Sequence, residues 1–586
     1  MRNVDAVSAR RVRGCRGQEG RRIHRPHFAP VGSRARLPRI SPEGRHLDPI
    51  RLEVIRNALT VATEVMGSVL RRTAHSTNVK TRADFSCALF DTRLRTVAQA
   101  FAMPMHLSSM AMAVPQAVHD TGRVLRDGDS LVFNYVPKGG VHLNDLVVLS
   151  PVFVDGELVG YVGNIAHHVD VGGMTAGSIG LAEEIFQEGL IIPPVRVERE
   201  SSIDGDLHTL ITSNVRSPRE MFGDLRAQMG ANRIGAARLT DIVQRWGAKT
   251  VADAIEEIMA ATERETRRAI AALPDGECEA SGQVDDDGFT DVPIRLQIRI
   301  RIEGSSICFD TTGSDPQRRS PMGATYASAF SACAFVLKCL LLPETPVNDG
   351  FYRAIELISP PGTVLHVTHP GAVAGGGELC MSFVDTIIRA FSTIVPDRVP
   401  ASSKGCLGNI AFGGVDPRTR EFYAFYETIG GGYGARSSDD GMDGVQTHMS
   451  NAQNAPIEVV ETQYPVRIVR YELIPDSAGI GTYRGGLGIR RDYLFDHEAT
   501  FSILSDRART GPRGLFGGGD AIPARYILNP EGANARVLPS KGTTRVRPGD
   551  VVSIQTPGGG GYGPPSKRPA ELIERDLRTG KMTRST

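Results

Sequence analysis

The strongest constraint on the fold of this chain is a predicted β-hairpin with histidines and carboxylates at its open end. Two strand-like runs, 146–154 and 158–165, are joined at Asp155-Gly156. That dipeptide suits the left-handed backbone of a two-residue hairpin turn. The hairpin predicts an antiparallel sheet, and it brings the polar segments 139–145 and 166–170 to the same end of that sheet.

The register of this hairpin decides whether the polar groups meet. If Asp155 and Gly156 form the whole loop, Asn144 lies opposite His167 and Asp145 lies opposite Ala166. Side chains alternate between the two faces of a strand, so Asp145 and His167 would then point to opposite faces. A bulge at Pro151, which cannot donate to the ladder, would shift the register by one residue. With that shift, Asp145 and His167 share a face.

The segments Gly139-Gly-Val-His142-Leu-Asn-Asp145 and Ala166-His167-His168-Val-Asp170 carry the groups of a metal site. Imidazoles with one or two carboxylates form a mixed nitrogen and oxygen ligand set that suits zinc, manganese or iron(II). Such a site activates water or polarises a carbonyl. The alternative is that His142 caps a turn while His167 and His168 are ordinary buried polar groups. The residues alone leave both interpretations open.

Composition and charge separate a basic leader from the rest of the chain. At 586 residues the chain is long for a single core, so two or three domains are expected. Residues 1–46 hold twelve arginines, no lysine and three acids, which is +9, so the remainder carries −8 of the net +1. We expect residues 1–47 to form a disordered basic leader. The mildly acidic body offers no electrostatic case for a nucleic-acid partner.

The location predicted from the sequence is the cytoplasm. The eight cysteines show no CxxC pair and no regular framework, which favours free thiols in a reducing compartment. The leader has no apolar segment typical of a secretory signal. The longest apolar run, 331–342, is interrupted by Lys338 and is too short to cross a bilayer, so no membrane partner is expected.

The order of the elements predicts an α+β protein with mixed helices, mainly antiparallel sheets and at least two domains. Asp48-Pro49 is typical of a helix start, and helices are expected to about Arg72, over 219–246 and over 251–272. From Gly276 the chain becomes rich in short strands and glycine turns. We therefore predict a metal-site domain over 48–275 and a β-rich region with glycine-rich turns over 276–586.

Three further patterns each have a functional and a structural interpretation. Arginines alternate with isoleucines over 294–302, which favours a solvated strand face over an anion-binding ladder. Asp224, Gln228 and Asn232 share one helix face, which is either wet surface or a set of buried amides that line a cavity. The glycine clusters lack a nucleotide-binding context, so they predict tight turns or close backbone approach instead of a phosphate cradle.

Longer motifs give the chain a recognisable family pattern from Asp48 almost to its end. It resembles the hydantoinase B/oxoprolinase family, which includes the B-type subunits of ATP-dependent hydantoinases and, more distantly, the alpha subunits of ketone carboxylases. The resemblance rests on the two hairpin segments and on 48–57, Arg82-Ala-Asp84 with the strand to Asp91, Phe186-Gln-Glu-Gly-Leu190, 192–194, 224–232, 427–432, Thr447-His448-Met449 and 556–563. The basic leader lies outside this pattern.

The resemblance implies a set of metal ligands and of groups for proton transfer. Its metal site falls on Asp84, His142, Asp145 and His167, and of these Asp84 is supplied by the resemblance alone. Asn144 stands where the family usually has proline. His168, Asp170 and His106 are candidates for roles beside the metal or in proton transfer.

The resemblance also implies an activity that is shared with a second polypeptide. An A-type subunit of the actin-like ATPase class would use ATP to phosphorylate the carbonyl oxygen of a lactam or imide. This chain would then open the ring of the O-phosphorylated cyclic amide at its metal. The expected assembly is a hetero-oligomer with two-fold symmetry. The rival interpretations are a subunit of an acetone or acetophenone carboxylase and a structural subunit without catalytic activity.

Overall fold

A computed structural model describes residues 48–100, 103–122 and 124–583. The predicted basic leader lies outside the described residues. The helices are α1 Pro49–Thr73, α2 Thr77–Lys80, α3 Ser109–Thr121, α4 Gly205–Thr212, α5 Pro218–Trp246, α6 Ala248–Ala271, α7 Tyr326–Leu341, α8 Asp349–Tyr352, α9 Gly376–Phe391, α10 Ile457–Gln463 and α11 Ala570–Arg578. Within these ranges, no helix combines the length and the apolar character that crossing a membrane requires.

The strands form four sheets, and the predicted α+β class is confirmed. They are β1 Phe85–Phe90, β2 Thr96–Ala100, β3 Ser130–Phe133, β4 Asp145–Val154, β5 Glu157–His167, β6 Val195–Arg199, β7 Ser202–Ile203, β8 Gly276–Val284, β9 Ile294–Glu303, β10 Ser306–Asp310, β11 Ile355–Ile358, β12 Asn409–Val415, β13 Phe422–Thr428, β14 Val466–Leu473, β15 Ile489–Phe495, β16 Ala499–Leu504, β17 Arg525–Leu528, β18 Arg536–Val537, β19 Lys541–Val546 and β20 Val551–Gln555. The sheet orders are β2-β1-β5-β4-β3-β6-β7, β11-β10-β9-β8, β13-β12-β16-β19 and β14-β15-β20-β17-β18. Of the pairings between these strands, β10 with β11 is parallel and the others are antiparallel.

The first helix begins where the sequence predicts. Asp48 caps α1, because its side chain accepts a hydrogen bond from the Ile50 amide, and Pro49 occupies the first helical position. α1 and α5 pack against each other, and α5 also covers β4 and β5. The helices α1 and α5 thus form a layer behind the seven-stranded sheet.

The central core forms around the second sheet. The alternating isoleucines of β9 are completely or almost completely buried, while Arg295, Arg299 and Arg301 stay exposed. The helices α7 and α9 share this core with the isoleucine face of β9, and α9 is buried along nearly its whole length. The predicted half-buried strand with a solvated arginine face is therefore confirmed. The boundary at 275 and 276 between two domains stays a prediction.

The central hairpin has the predicted turn but a different register. Asp155 and Gly156 have φ values of 51° and 82°, and the turn pairs Val154 with Glu157. One residue of β5, Val159, is then left out of the pairing, because Phe153 lies opposite Leu158 and Val152 opposite Gly160. The pairing of Asn144 with His167 is wrong for this reason.

The bulge brings Asp145 directly opposite His167. It lies beside Gly160, and Pro151 is in the regular part of the ladder opposite Tyr161. A Cβ at Gly160 would lie 2.6 Å from the Phe90 carbonyl oxygen of β1. Glycine is therefore needed where β5 bulges against its neighbour.

Candidate metal site

Three of the predicted ligands meet at the open end of the β4–β5 hairpin. Candidate ligand atoms of His142, Asp145 and His167 all lie within 4.8 Å of one another. Asp145 begins β4 and His167 ends β5, so the bulged register places them side by side. His142 belongs to the turn before β4, in which the Asp145 amide donates to the His142 carbonyl oxygen at 3.2 Å.

Asp145 has no hydrogen-bond partner for either carboxylate oxygen among the described residues, although the residue is 2% exposed. Its Oδ2 lies 3.4 Å from Nε2 of His142 and 3.5 Å from Nε2 of His106. Burial alone would raise the pKa of Asp145, but the charges of His142 and His106 outweigh burial and hold this pKa well below its usual range. A buried carboxylate without hydrogen bonds is costly, and a coordinated cation would remove that cost.

The donor set fits a divalent transition metal. Two imidazoles and one carboxylate are the ligands that zinc, manganese and iron(II) accept with further positions open. The described part of the chain holds no other group of three histidine, cysteine or acidic side chains with this spacing. The side chain of His142 is 13% exposed, so the site is reached from the His142 side.

The residues around His167 hold its ring in a fixed orientation. Asn78 lies 3.0 Å from Nδ1 of His167, and the ring stacks on Tyr426 with centroids 4.4 Å apart. The guanidinium of Arg82, 3.0 Å from the Asn78 side-chain oxygen, fixes that amide in turn. Burial, followed by the charge of His142, lowers the pKa of His167 well below its usual value, which favours the neutral form that binds metals.

Asp84 lies beside the three ligands but outside the set of close ligand atoms. The residue is 3% exposed, and its carboxylate is 4.0 Å from Arg82. Burial raises the pKa of Asp84, while the charges of Arg82 and His106 act against that rise. Its backbone carbonyl also accepts the His167 amide at 3.0 Å, so Asp84 joins β1 to the ligand strand.

The three proton-transfer candidates have different places. His106 contacts Asp145 through Nε2, and its Nδ1 is 3.2 Å from the Ser86 hydroxyl. Burial lowers the pKa of His106, but the charge and close contact of Asp145, together with the charge of Asp84, outweigh burial and raise this pKa. His168 points to Gln228 instead, at 2.9 Å. The structure thus brings His106 to the ligand group and turns His168 towards α5.

Asp170 is engaged in local structure. Its two oxygens accept hydrogen bonds from the Gly172 and Gly177 amides and from the backbone and guanidinium of Arg216, at distances between 2.9 and 3.1 Å. All of these contacts hold the loop that follows β5. Asn144, at the position where the family usually has proline, donates to the His168 carbonyl oxygen at 2.9 Å and also supports this loop.

Sequence reasoning did not assign roles to Asn78, Ser86 or Tyr426, all of which contact the site. They come from α2, β1 and β13, so no local spacing connects them with the hairpin. Arg82 belongs to a motif of the family resemblance, yet its role depends on contacts with Asn78 and Tyr426, which are made only after folding.

Comparison with known proteins places this geometry in a family. The hydantoinase B/oxoprolinase family model matches residues 48–565. The chain belongs to this family. An uncharacterized protein of Methanocaldococcus jannaschii is 38% identical over 92% of this chain and 94% of its own length. The putative B-type subunit of a D-/L-hydantoinase from Pseudomonas sp. is 30% identical over 94% and 95%, respectively. A 5-oxoprolinase of Arabidopsis thaliana is 32% identical over 88% of this chain but only 42% of its own, longer sequence.

Solved structures share the fold over most of the chain. The ATP-dependent caprolactamase of Pseudomonas jessenii has a TM-score of 0.85 and 28% identity, covering 92% of this chain and 95% of its own. An acetone carboxylase in its nucleotide-free form also has a TM-score of 0.85, with 92% and 78% covered, but only 19% identity, which shows a shared fold.

Proposed function

We propose that this chain is the metal-containing B-type subunit of an ATP-dependent cyclic amide hydrolase. The observation that carries the proposal is the buried Asp145 carboxylate, which has no hydrogen bonds among the described residues and faces His142 and His167. The similarity to the B-type subunit of a hydantoinase over almost the full length of both chains supports the reaction class. The similarity to a caprolactamase supports a lactam, hydantoin or 5-oxoproline as the substrate class.

The three residues of the hairpin would hold the metal, and the surrounding residues would orient them. When bound there, a zinc, manganese or iron ion would act as a Lewis acid and lower the pKa of bound water towards ~7. Asn78 and Tyr426 keep the His167 ring in place, so the ligands need little rearrangement. We propose Asp84 as a further ligand or as a balancing charge beside the three.

His106 is the group we assign to proton transfer. It already contacts the Asp145 carboxylate, and the Ser86 hydroxyl orients its other nitrogen. His168 and Asp170 are less suitable, because Nε2 of His168 contacts Gln228 on α5 and the Asp170 carboxylate contacts Arg216. His106 would take the proton from the attacking water and deliver it to the ring nitrogen as the C–N bond breaks. This step leaves an acyl phosphate, which a second water would hydrolyse to the carboxylate and inorganic phosphate.

The activation step would belong to an A-type ATPase partner. An unactivated amide resists hydrolysis, and phosphorylation of its carbonyl oxygen by ATP creates a better electrophile. The glycine clusters of this chain contact neighbouring backbone segments, which fits a division of labour in which nucleotide binds elsewhere. The greater length of the Arabidopsis 5-oxoprolinase supports the same division. We propose a hetero-oligomer of A-type and B-type subunits with two-fold symmetry.

Metal analysis of purified protein tests the ligand assignment. We expect about one transition metal per chain in the native protein and in D253A, which removes an exposed carboxylate on α6. D145A should retain less than a tenth of that metal while its circular dichroism spectrum stays native. Absence of metal from the native protein, with no uptake on reconstitution, would remove the site.

An activity assay with the A-type partner tests the reaction. We expect ATP-dependent ring opening that D145A abolishes and D253A retains. H106Q should keep its metal and lose turnover by about 10²–10⁴-fold; loss of metal from H106Q would make His106 a ligand instead. Ring opening without nucleotide or partner would contradict the coupled reaction. A strict requirement for bicarbonate with a ketone would favour the carboxylase alternative.

A further inference from the structure

A polar cavity lies apart from the proposed metal ligands, between β8, β9, α9 and the segment that follows β16. Its volume is about 370 Å³, and it shares no lining residue with the group His142, Asp145 and His167. Its charged lining residues are Arg295, Arg389, Arg507, Arg513 and a single acid, Asp385. The cavity therefore gathers four positive charges and one negative charge.

The four arginines come from three parts of the fold, because Arg507 and Arg513 share the segment that follows β16. Arg295 is on the exposed face of β9, and Arg389 is in the last turn of α9, where it donates to the Ser281 carbonyl oxygen. The Arg513 carbonyl oxygen accepts the Ser402 amide at 3.0 Å. A Cβ on Gly560 would lie 2.1 Å from that same oxygen, so a glycine cluster positions the Arg513 backbone.

The protein does not neutralise this charge by itself. Among the described residues, Arg507 has a carboxylate partner, Asp385 at 3.0 Å, whereas Arg295, Arg389 and Arg513 have none within 4.0 Å. Asp385 is also shared with His448, whose Nε2 lies 2.8 Å from it, and with the Ser403 amide at 3.2 Å. Its charge is thus already used by three donors.

Arg507 supplies the second sign of a missing ligand. Its side chain is 9% exposed, and its Nε has no hydrogen-bond partner among the described residues. A buried guanidinium N–H without an acceptor is costly, and an anion in the cavity would supply the acceptor. Burial, followed by the charges of Arg513 and Arg507, lowers the pKa of Arg389, which agrees with mutual repulsion across the cavity.

We propose that this cavity binds a small dianion that carries phosphate or paired carboxylate groups. Guanidinium groups bind such oxygens through two parallel hydrogen bonds, and several arginines around one cavity favour a doubly charged ligand. A volume of about 370 Å³ suits a small molecule more than a segment of another protein. Arg295 would thus lie on the solvated face of β9 and also bind the anion at the end of that face.

Binding of two probes by the full-length protein tests this proposal. Inorganic phosphate and malonate are titrated calorimetrically, with potassium chloride at matched ionic strength as the reference. The variant R295Q/R513Q removes two exposed arginines of the cavity, and R299Q removes an exposed arginine of the same face of β9 that does not line it. We expect R299Q to bind like the native protein and R295Q/R513Q to bind at least tenfold more weakly.

The two probes separate the ligand classes. Selective phosphate binding indicates a phosphorylated ligand, selective malonate binding indicates a dicarboxylate, and binding of both indicates a general dianion site. Equal affinities of R295Q/R513Q and R299Q, or no binding of either probe by the native protein, would overturn the proposal. An anomalous signal from soaked tungstate is expected beside Arg507, and a signal found only elsewhere would also overturn it. Neither result depends on whether the hairpin holds a metal.

Discussion

The buried carboxyl of Glu188 predicts a defined loss of stability as pH rises. One oxygen accepts the Val373 and Ala374 amides at 2.9 and 2.7 Å, and the other has no partner among the described residues. Burial raises the pKa of Glu188 to about 8, although the two backbone hydrogen bonds act against that rise. The group therefore carries a proton in the folded protein at neutral pH.

The sign and size of the effect follow from the two states. Below the unfolded value of 4.5 both states hold the proton. Between 4.5 and about 8 the unfolded chain has released it while the folded chain retains it, so the free energy of unfolding falls by about 1.4 kcal/mol per pH unit. The total loss is about 5 kcal/mol, and it is complete above the folded pKa. With an unfolding entropy of about 2 cal/mol/K per residue, this corresponds to ~4–5 °C in Tm.

The variant E188Q isolates this contribution, because its amide oxygen can accept the same backbone hydrogen bonds without a proton that titrates. Thermal unfolding of both proteins, in the presence of a chelator that removes metal, is followed from pH 5 to pH 9. We expect the Tm of E188Q minus that of the native protein to grow by ~3 °C between pH 5 and pH 8.5, since about 4 kcal/mol of the total loss falls in this interval. The subtraction cancels the pH dependence that Glu220 and Glu378 contribute, since the pKa of each of these carboxyls is also raised and both proteins contain them. A difference that stays constant with pH would refute the reasoning.

Three further predictions concern the hairpin, a C-terminal glycine cluster and the helix α5. Deleting Val159 removes only the bulged residue, so metal binding should persist, whereas deleting Val162 from the paired strand should abolish it; equal metal contents would contradict the register argument. G559A should lower the free energy of unfolding by about 3 kcal/mol or prevent folding, because its Cβ would lie 2.1 Å from a carbonyl oxygen. The control G205A should be tolerated, because the space beside Gly205 is open, and similar Tm values of the two variants would refute this. N232A should cost about 3 kcal/mol in urea unfolding through lost hydrogen bonds, and a change under 1 kcal/mol would contradict that estimate.

Local pattern predicted the hairpin turn but placed its bulge wrongly. The Asp155-Gly156 turn follows from its preference for left-handed backbone, and the structure has it. The bulge lies at Val159, where Gly160 approaches the Phe90 carbonyl oxygen of the neighbouring strand. A lone glycine inside a strand was the available signal, whereas Pro151 attracted attention because it lacks a donor. Choosing between them required knowledge of the strand on the other side.

The site was predictable to the extent that its residues are near in sequence. His142, Asp145 and His167 belong to one hairpin, so local spacing and register bring them together. Asp84 came from the family resemblance, and its role beside the three remains a proposal. The contact of His106 with Asp145 depends on how the segment before α3 packs against the sheet, which no periodicity encodes.

The polar face of α5 shows why composition alone misleads. A wet surface is the simpler interpretation of Asp224, Gln228 and Asn232, and it is wrong because all three are at most 1% exposed. Nor do they line the arginine cavity. Gln228 and Asn232 bond the helix to the sheet, and Asp224 accepts the His75 and Ser76 amides. Buried charged and amide side chains look like surface residues in a sequence, because the backbone groups that they bond are distant in the chain.

This bonding has a consequence for the site. Gln228 donates to the Leu146 carbonyl oxygen at 2.8 Å, and Asn232 accepts from Asn164 at 2.7 Å, so α5 holds β4 and β5 within a few residues of Asp145 and His167. Because these bonds are buried, the strands cannot slip without leaving amides unpaired, which is costly. The proposed ligands Asp145 and His167 are therefore held in place by the fold itself. Under our proposal a metal would bind there without ordering the backbone, and its affinity should depend on the α5 amides as well as on the ligands.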